Sequence, residues 1–378
     1  MYAVSSAFLT AMAKSSTRLV KIEQLDASMN VVATFQTVAV AGRVQLQQSQ
    51  EARRNLTMTL ANPGGIYTPA LTSDPFFFNQ RIRVWLGTVL ADGTTEYAPL
   101  GTFVVNVARA ILATDTIEVT ALDFWKYLQA AALKTVTSYA PGVTLLSIFT
   151  DLINQAQTLL GGITIPRNID PVAGAATLGG TDPLQFAAGS RIADGLAPFM
   201  DSYGWDFGFD PLGTFVGRLY VQPETIAPSF TMTDADPGVV DLQLTYQDSP
   251  DVRNHVRVNS TSPDVVPFSA EAQDNNQNSP TYIGGIFGDR LDVFDTPDIT
   301  DATQIQNVAN ARLRRFLVLS RTVEQSGTAH PELDVWDVAL LTSPKLKLSA
   351  APYWVESMEI PLTTDAATLR FAEVRALS

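Results

Sequence analysis

Apolar and polar residues alternate with a period of two through much of this chain, and that pattern commits those segments to β-strands. Leu56, Met58 and Leu60 alternate with Thr57 and Thr59, and Ile82, Val84 and Leu86 with Arg83 and Trp85. Ile117, Val119 and Ala121 alternate with Glu118 and Thr120. The pattern returns late in the chain at Leu242, Leu244 and Tyr246, and at Val256 and Val258 about Arg257. Successive strand side chains point to opposite faces, so one row packs on a core and the other meets solvent or a partner. The breaks carry turn chemistry: Asn62-Pro63-Gly64-Gly65, Asp92-Gly93 and Asp210-Pro211-Leu212-Gly213. Short strands separated by such turns predict antiparallel barrels or sandwiches.

The alternation stops at Asp123. An alanine-rich stretch runs to Leu133, and a helical pattern from about Thr144 to Leu160 stops at Gly161-Gly162. A long loop is expected over 163–188 and a further helix over Arg191 to Tyr203. Strands resume with Trp205 to Phe209, Thr214 to Val221, Val335 to Leu341, Tyr353 to Ile360 and Leu369 to Val374. Between them, residues 262–281 read as a loop. Asp301 with Gln304 then opens a helix that lines up Ile305, Ala309, Leu313 and Phe316. The expected fold class is mainly β with a helical segment (α+β). The expected division is an N-terminal helix or arm over 1–16, a first β-barrel domain over 17–122 and a helical accessory domain over 123–204. A second β-barrel domain follows over 205–378, with a loop and helix inserted at about 262–320. No Pro-rich or Ser-rich linker separates them, so they are expected to pack tightly.

With 378 residues, 46% hydrophobic and 17% charged, the chain is long enough for more than one core. It has no cysteine, which excludes disulfides, thiolate zinc sites and thiol nucleophiles. A net charge of −13 argues against binding to a phosphate backbone without a local basic patch. No apolar run is long enough for a membrane-spanning helix, so no membrane anchor is expected. Lys14 follows the apolar part of the N-terminus, around Phe8, Leu9 and Met12, which is the wrong order for a secretory signal. Folding and assembly in the cytoplasm are expected.

Catalytic signatures are missing. There are two histidines, His255 and His330, and no H-E-x-x-H, Walker loop or G-x-S-x-G. His255 lies in a strand pattern and His330 precedes Pro331 in a loop, so neither is assigned a role. Asp206 and Asp210 stand near Trp205 and Phe207, as a glycoside-cleaving carboxylate pair with an aromatic sugar platform would. Turn chemistry accounts for Asp210, however, and Asp206 is expected on a solvated strand face. Asp234 and Asp236 have calcium-loop spacing but lack the third ligand, the sixth-position glycine and the closing glutamate, so a turn is expected. Arg312, Arg314 and Arg315, with Arg321 beyond, form a basic cluster whose expected use is ion pairing; nucleic-acid contact is the alternative. The sequons at Asn55 and Asn259 carry no weight without secretion. Phe76-Phe77-Phe78 cannot all face one core from a strand, so at least one ring is expected to point toward a neighbour or a second core, a locally buried loop being the alternative. No catalytic, cofactor-binding or metal-binding residue is assigned, and no cofactor is expected.

The run from Glu51 to Ala70 includes Arg53-Arg54-Asn55-Leu56, Asn62-Pro63-Gly64-Gly65 and Ile66-Tyr67-Thr68-Pro69. Asp74-Pro75, Gln80 to Gly87, Asp92-Gly93 and Leu100-Gly101-Thr102-Phe103 follow it. This order resembles the first β domain of the hub proteins at the tail tip of long-tailed bacteriophages. Trp205 to Gly213 resembles the strand-turn-strand that opens their second. The resemblance implies a non-enzymatic virion component with two tail-tube-like barrels. It implies a homotrimeric ring that adapts a sixfold tube to a threefold tip while DNA and the tape-measure protein pass through. Distal tail or tail-tube subunits and tip or fibre proteins are the implied partners. Some members carry a fused lytic, needle or fibre domain; this chain ends in strands near Val374 and is expected to lack one. The competing readings are a tail-associated cell-wall hydrolase and a carbohydrate-binding adhesin.

Overall fold

The computed structural model describes residues 2–14, 18–37, 39–48, 52–179, 183–220, 223–248, 250–262, 265–296, 299–317 and 320–375. A helix, α1 (Ser6–Met12), precedes seven strands: β1 (Arg18–Leu25), β2 (Val31–Thr37), β3 (Ala39–Gln47), β4 (Arg54–Ala61), β5 (Arg81–Val89), β6 (Thr95–Ile111) and β7 (Thr116–Leu122). Ser5 caps α1 by accepting the Phe8 N–H at 3.0 Å, and Phe8 and Met12 are buried beneath it. The middle of the chain forms α2 (Trp125–Ala130), β8 (Thr137–Tyr139), α3 (Leu145–Leu159), β9 (Arg167–Ile169), β10 (Leu184–Phe186), α4 (Ile192–Ser202), β11 (Trp205–Phe209) and β12 (Phe215–Leu219). The remainder forms β13 (Phe230–Thr233), β14 (Val239–Tyr246), β15 (His255–Ser260), β16 (Ser269–Gln273), β17 (Leu291–Thr296), α5 (Ala302–Leu317), β18 (Arg321–Gly327), β19 (Val338–Ser343), β20 (Leu348–Pro361) and β21 (Ala367–Glu373). The chain is mainly β, as the alternation predicts.

Thirteen strands join in one sheet, ordered β14-β18-β21-β20-β3-β4-β7-β6-β5-β1-β2, with β19 beside β20 and β13 beside β19. The two β regions are thus fused edge to edge. The seam is the antiparallel pair β20–β3, with Ser357 opposite Gln47 and Ile360 opposite Val44. Their apolar rows share one core in which Leu56, Met58 and Val119 pack in the same cluster as Val323, Val355 and Phe371.

The two halves repeat one another strand for strand: β3-β4-β7-β6-β5 corresponds to β14-β18-β21-β20-β19. Even the irregularities match. The β6–β7 ladder skips Asn106, between Val105 and Val107, and the β20–β21 ladder skips Glu356, between Val355 and Ser357. The β3–β4 ladder skips Val40, between Ala39 and Ala41, and the β14–β18 ladder skips Val240, between Val239 and Asp241. Asn79 and Trp336 both adopt left-handed φ, 67° and 74°, and donate their N–H to the carbonyls of Val105 and Val355 at 2.9 and 3.1 Å. The return bonds also match, from Val105 N–H to the Gln80 carbonyl and from Val355 N–H to the Asp337 carbonyl, each 2.9 Å. Bulges bend and twist a strand at a set place, so matched bulges mark a duplicated unit. The outermost partner differs: β1 runs antiparallel to β5, whereas β13 runs parallel to β19.

A second core gathers the middle of the chain. Trp205 to Phe209 pairs with β12 across the expected turn, but this hairpin, expected in the second β region, joins β9 in a separate three-stranded sheet. The Trp205 and Phe207 rings lie 4.8 and 4.9 Å from Phe149 of α3. All of β11 is buried although it is an edge strand of that sheet, so it belongs to this core and not to a barrel wall. The insertion expected at about 262–320 starts earlier, with β15. That strand lies between β16 and β17, and Ile305, Val308, Ala309 and Leu313 of α5 share the second core with Val256 and Val258 of β15. Phe316 lies at the margin of this core.

Candidate functional site

Arg53 and Arg54, at the start of β4, reach into a buried charged cluster. The Asp206 carboxylate is 2% exposed, against the expectation of a solvated face. It accepts from the Arg53 guanidinium and, at 3.0 Å, from the Trp336 indole N–H, with Arg218 3.7 Å away. The Arg54 guanidinium donates to the Phe209 carbonyl and pairs with Asp334. Asp123 accepts the backbone N–H groups of Arg54 and Trp125, both at 3.0 Å, and burial pushes its carboxyl up to about 6. The cluster borders a cleft of about 390 Å³, lined in part by Asn168, Val216, Ile226 and Asp337. It ties the first β region, the β11–β12 hairpin and the 334–336 turn together at one point.

Asp210 lines the same cleft but is held by its own turn. Its Oδ1 accepts the N–H groups of Leu212 and Thr214 at 2.9 and 2.7 Å, which closes the Asp-Pro-x-Gly turn. Asp210 lines the cleft while Asp206 is enclosed by Arg53 and Trp336, so the two are not presented together to a groove as an acid/base pair requires.

The remaining sequence candidates have structural partners. His255 Nδ1 lies 3.0 Å from Asp289 and its Nε2 lies 3.4 Å from Glu271, on opposite sides of the ring. His330 Nδ1 lies 2.9 Å from Glu332. Asp236 accepts the Thr233 N–H at 2.7 Å within a turn, and Asp234 in the same turn accepts from the Ser343 hydroxyl at the end of β19 at 2.6 Å. Among the described residues no group of three acidic, histidine or cysteine side chains is placed to hold a metal. Arg312 pairs with Asp292 at 3.2 Å, Arg314 with Glu224 and Arg321 with Glu373, while Arg315 lies 4.7 Å over the Tyr220 ring. Asn55 lies within β4, and Asn259 within β15 donates to Asp295 at 2.8 Å. Phe76 is fully buried against Phe35 and Tyr67, whereas Phe78 points outward with Phe77 beside it.

What remains is a surface. The outward row of the fused sheet is polar, with Arg43, Arg109 and Arg370 set among Glu118, Glu324 and Glu359. That row is close to charge balance, so much of the excess acidity lies elsewhere. Among the described residues the sheet has free edges at β14, β2 and β13, and β6, paired to β5 only up to Val104, has no strand on that side past Val105. Sequence reasoning missed these edges, because which strand is an edge is a property of pairing and not of composition.

No family model matches the chain, and no curated protein does. Solved structures do. A tail protein from Neisseria meningitidis superposes with a TM-score of 0.65 at 12% identity, covering 94% of this chain and 97% of that one. The 43 kDa tail protein of prophage MuSo2 from Shewanella oneidensis gives 0.61 at 12% identity, covering 95% and 100%. The Francisella PdpA-VgrG complex gives 0.56 at 8% identity, covering 99% of this chain and 54% of that one. The chain therefore has the fold of these tail proteins over nearly its whole length.

Proposed function

We propose that this chain is a structural, non-enzymatic subunit of a phage-type tail, and specifically the hub at its tip. The observation that carries the reading is the duplicated unit, with its matched bulges, inside a chain that has a tail-protein fold. A subunit with two equivalent units presents six when three copies close a ring, which reconciles a sixfold tube with a threefold tip. The polar row would face the channel. Near charge balance there gives DNA and a tape-measure protein no cationic surface to stick to and only weak repulsion. Neighbours on the two faces of the ring would be distal tail or tube subunits and tip or fibre proteins. A wall-hydrolase role gains no support from Asp206, whose two oxygens accept from Arg53 and Trp336, or from Asp210, whose Oδ1 closes a turn. The test is the native mass of the purified protein: three times 40.9 kDa is expected. A monomer, or a ring of six, would contradict the reading.

A further inference from the structure

We propose that the chain carries a template for its own subunit interface. The outer edge of β6 past Val105 pairs with β14 of the partner subunit, in the register that β20 makes with β3 inside the chain. The inference rests on the ring reading and specifies the contact that closes it.

The internal repeat fixes the register. Aligned on the shared bulges, Met358, Glu359 and Ile360 of β20 correspond to Ala108, Arg109 and Ala110 of β6. Leu46, Gln45 and Val44 of β3 correspond to Tyr246, Thr245 and Leu244 of β14. Within the chain the first set is already paired with the second: Met358 with Leu46, Glu359 with Gln45, Ile360 with Val44. Among the described residues their counterparts, β6 past Val105 and β14, each have one side without a strand, and these are the sides that β20 and β3 turn to each other at the seam. Joining them in the same way sets Ala108 opposite Tyr246, Arg109 opposite Thr245 and Ala110 opposite Leu244, the second residue of each pair belonging to the partner subunit.

Burial at the seam and at the open ends supports the match. Leu362, whose N–H donates to the Gly42 carbonyl at 2.9 Å across the seam, is fully buried; its counterpart Leu112 is 93% exposed. Leu46 is 4% exposed and its counterpart Tyr246 is 62% exposed. Apolar side chains that are covered where the strand pair exists lie bare where it is missing. A long strand edge left in that state is a site for pairing with another chain.

The chain has no cysteine, so a designed pair has no background. By the alternation of the seam, Glu359 and Gln45 form a non-hydrogen-bonded pair, the close type that suits a disulfide. Arg109→Cys combined with Thr245→Cys, oxidised and run without reductant, is expected to give covalent dimers and trimers and nothing larger. Arg109→Cys with Gln243→Cys, two residues out of register, is expected to give none. A protein of trimeric mass that cross-links only in the shifted pair, or not at all, would overturn the register and leave the ring standing. Cross-linking of Arg109→Cys alone would mean β6 against β6 across a twofold axis and would also overturn it. A monomeric mass would remove the ring reading itself. As a second readout, Leu112→Asp is expected to leave the monomer folded, since that side chain is exposed, and to abolish the trimer; a trimer unaffected by it would overturn the proposal.

Discussion

Asp123 shows how a single residue couples this fold to pH. Its carboxyl is enclosed by protein and binds the N–H groups of Arg54 and Trp125, yet burial dominates and raises it to about 6 from 3.8. An acid raised in the folded state contributes stability that is fully present below about pH 3.8 and is lost as pH rises through about 6. The loss is at most about 3 kcal/mol. Urea midpoints measured from pH 4 to 7 should therefore fall in the native protein relative to Asp123→Asn; a rise would contradict the assignment. Asp206 has a different role. Removing it with Asp206→Ala strands the Arg53 guanidinium in the interior, and unfolding should become easier by about 3–5 kcal/mol. A change under 1 kcal/mol would show the cluster to be dispensable. Asp210 was legible in the sequence because its partners are the next few residues. Asp206 was not, because Arg53 and Trp336 lie 153 and 130 positions away.

At the level of elements, alternation located β4, β5 and β7 because each is buried on one face and open on the other. It could not show that the β11–β12 hairpin joins β9 and not the second β domain, since a strand buried on both faces has no polar row to reveal its setting. It read β16 as loop because Ser269-Ala270-Glu271-Ala272-Gln273 has no β-branched or aromatic residue. The bulges left no signal strong enough to expose the duplication. One element detail is testable directly. Gly42, beside the Val40 bulge, has φ of +136°, and a Cβ there would lie 2.5 Å from the Thr57 carbonyl oxygen and 2.6 Å from the Met58 Cα. Gly42→Ala should destabilise the seam strand by about 1–3 kcal/mol or more. A thermal melt unchanged by that substitution would show that β3 can shift without cost.

Across the whole molecule, two β regions with helices between them were readable from periodicity, but their fusion into one sheet was not. Residues that meet across the seam, such as Gln45 and Glu359, are 314 positions apart, and nothing local encodes such a pairing. Charge leads to one expectation at this scale. With a net charge of −13 and Arg312, Arg314, Arg315 and Arg321 engaged by carboxylates or rings, the protein should not bind duplex DNA at physiological salt. A micromolar gel-shift weakened by Arg314→Ala would contradict that. The central claim is that one chain supplies two equivalent units to a closed ring at the tip of a tail. Averaged images of the assembled tip, viewed along the tail axis, test it most directly. The account predicts three chains arranged as six similar lobes around an open or plugged channel; six chains in the ring, each supplying a single lobe, would contradict it.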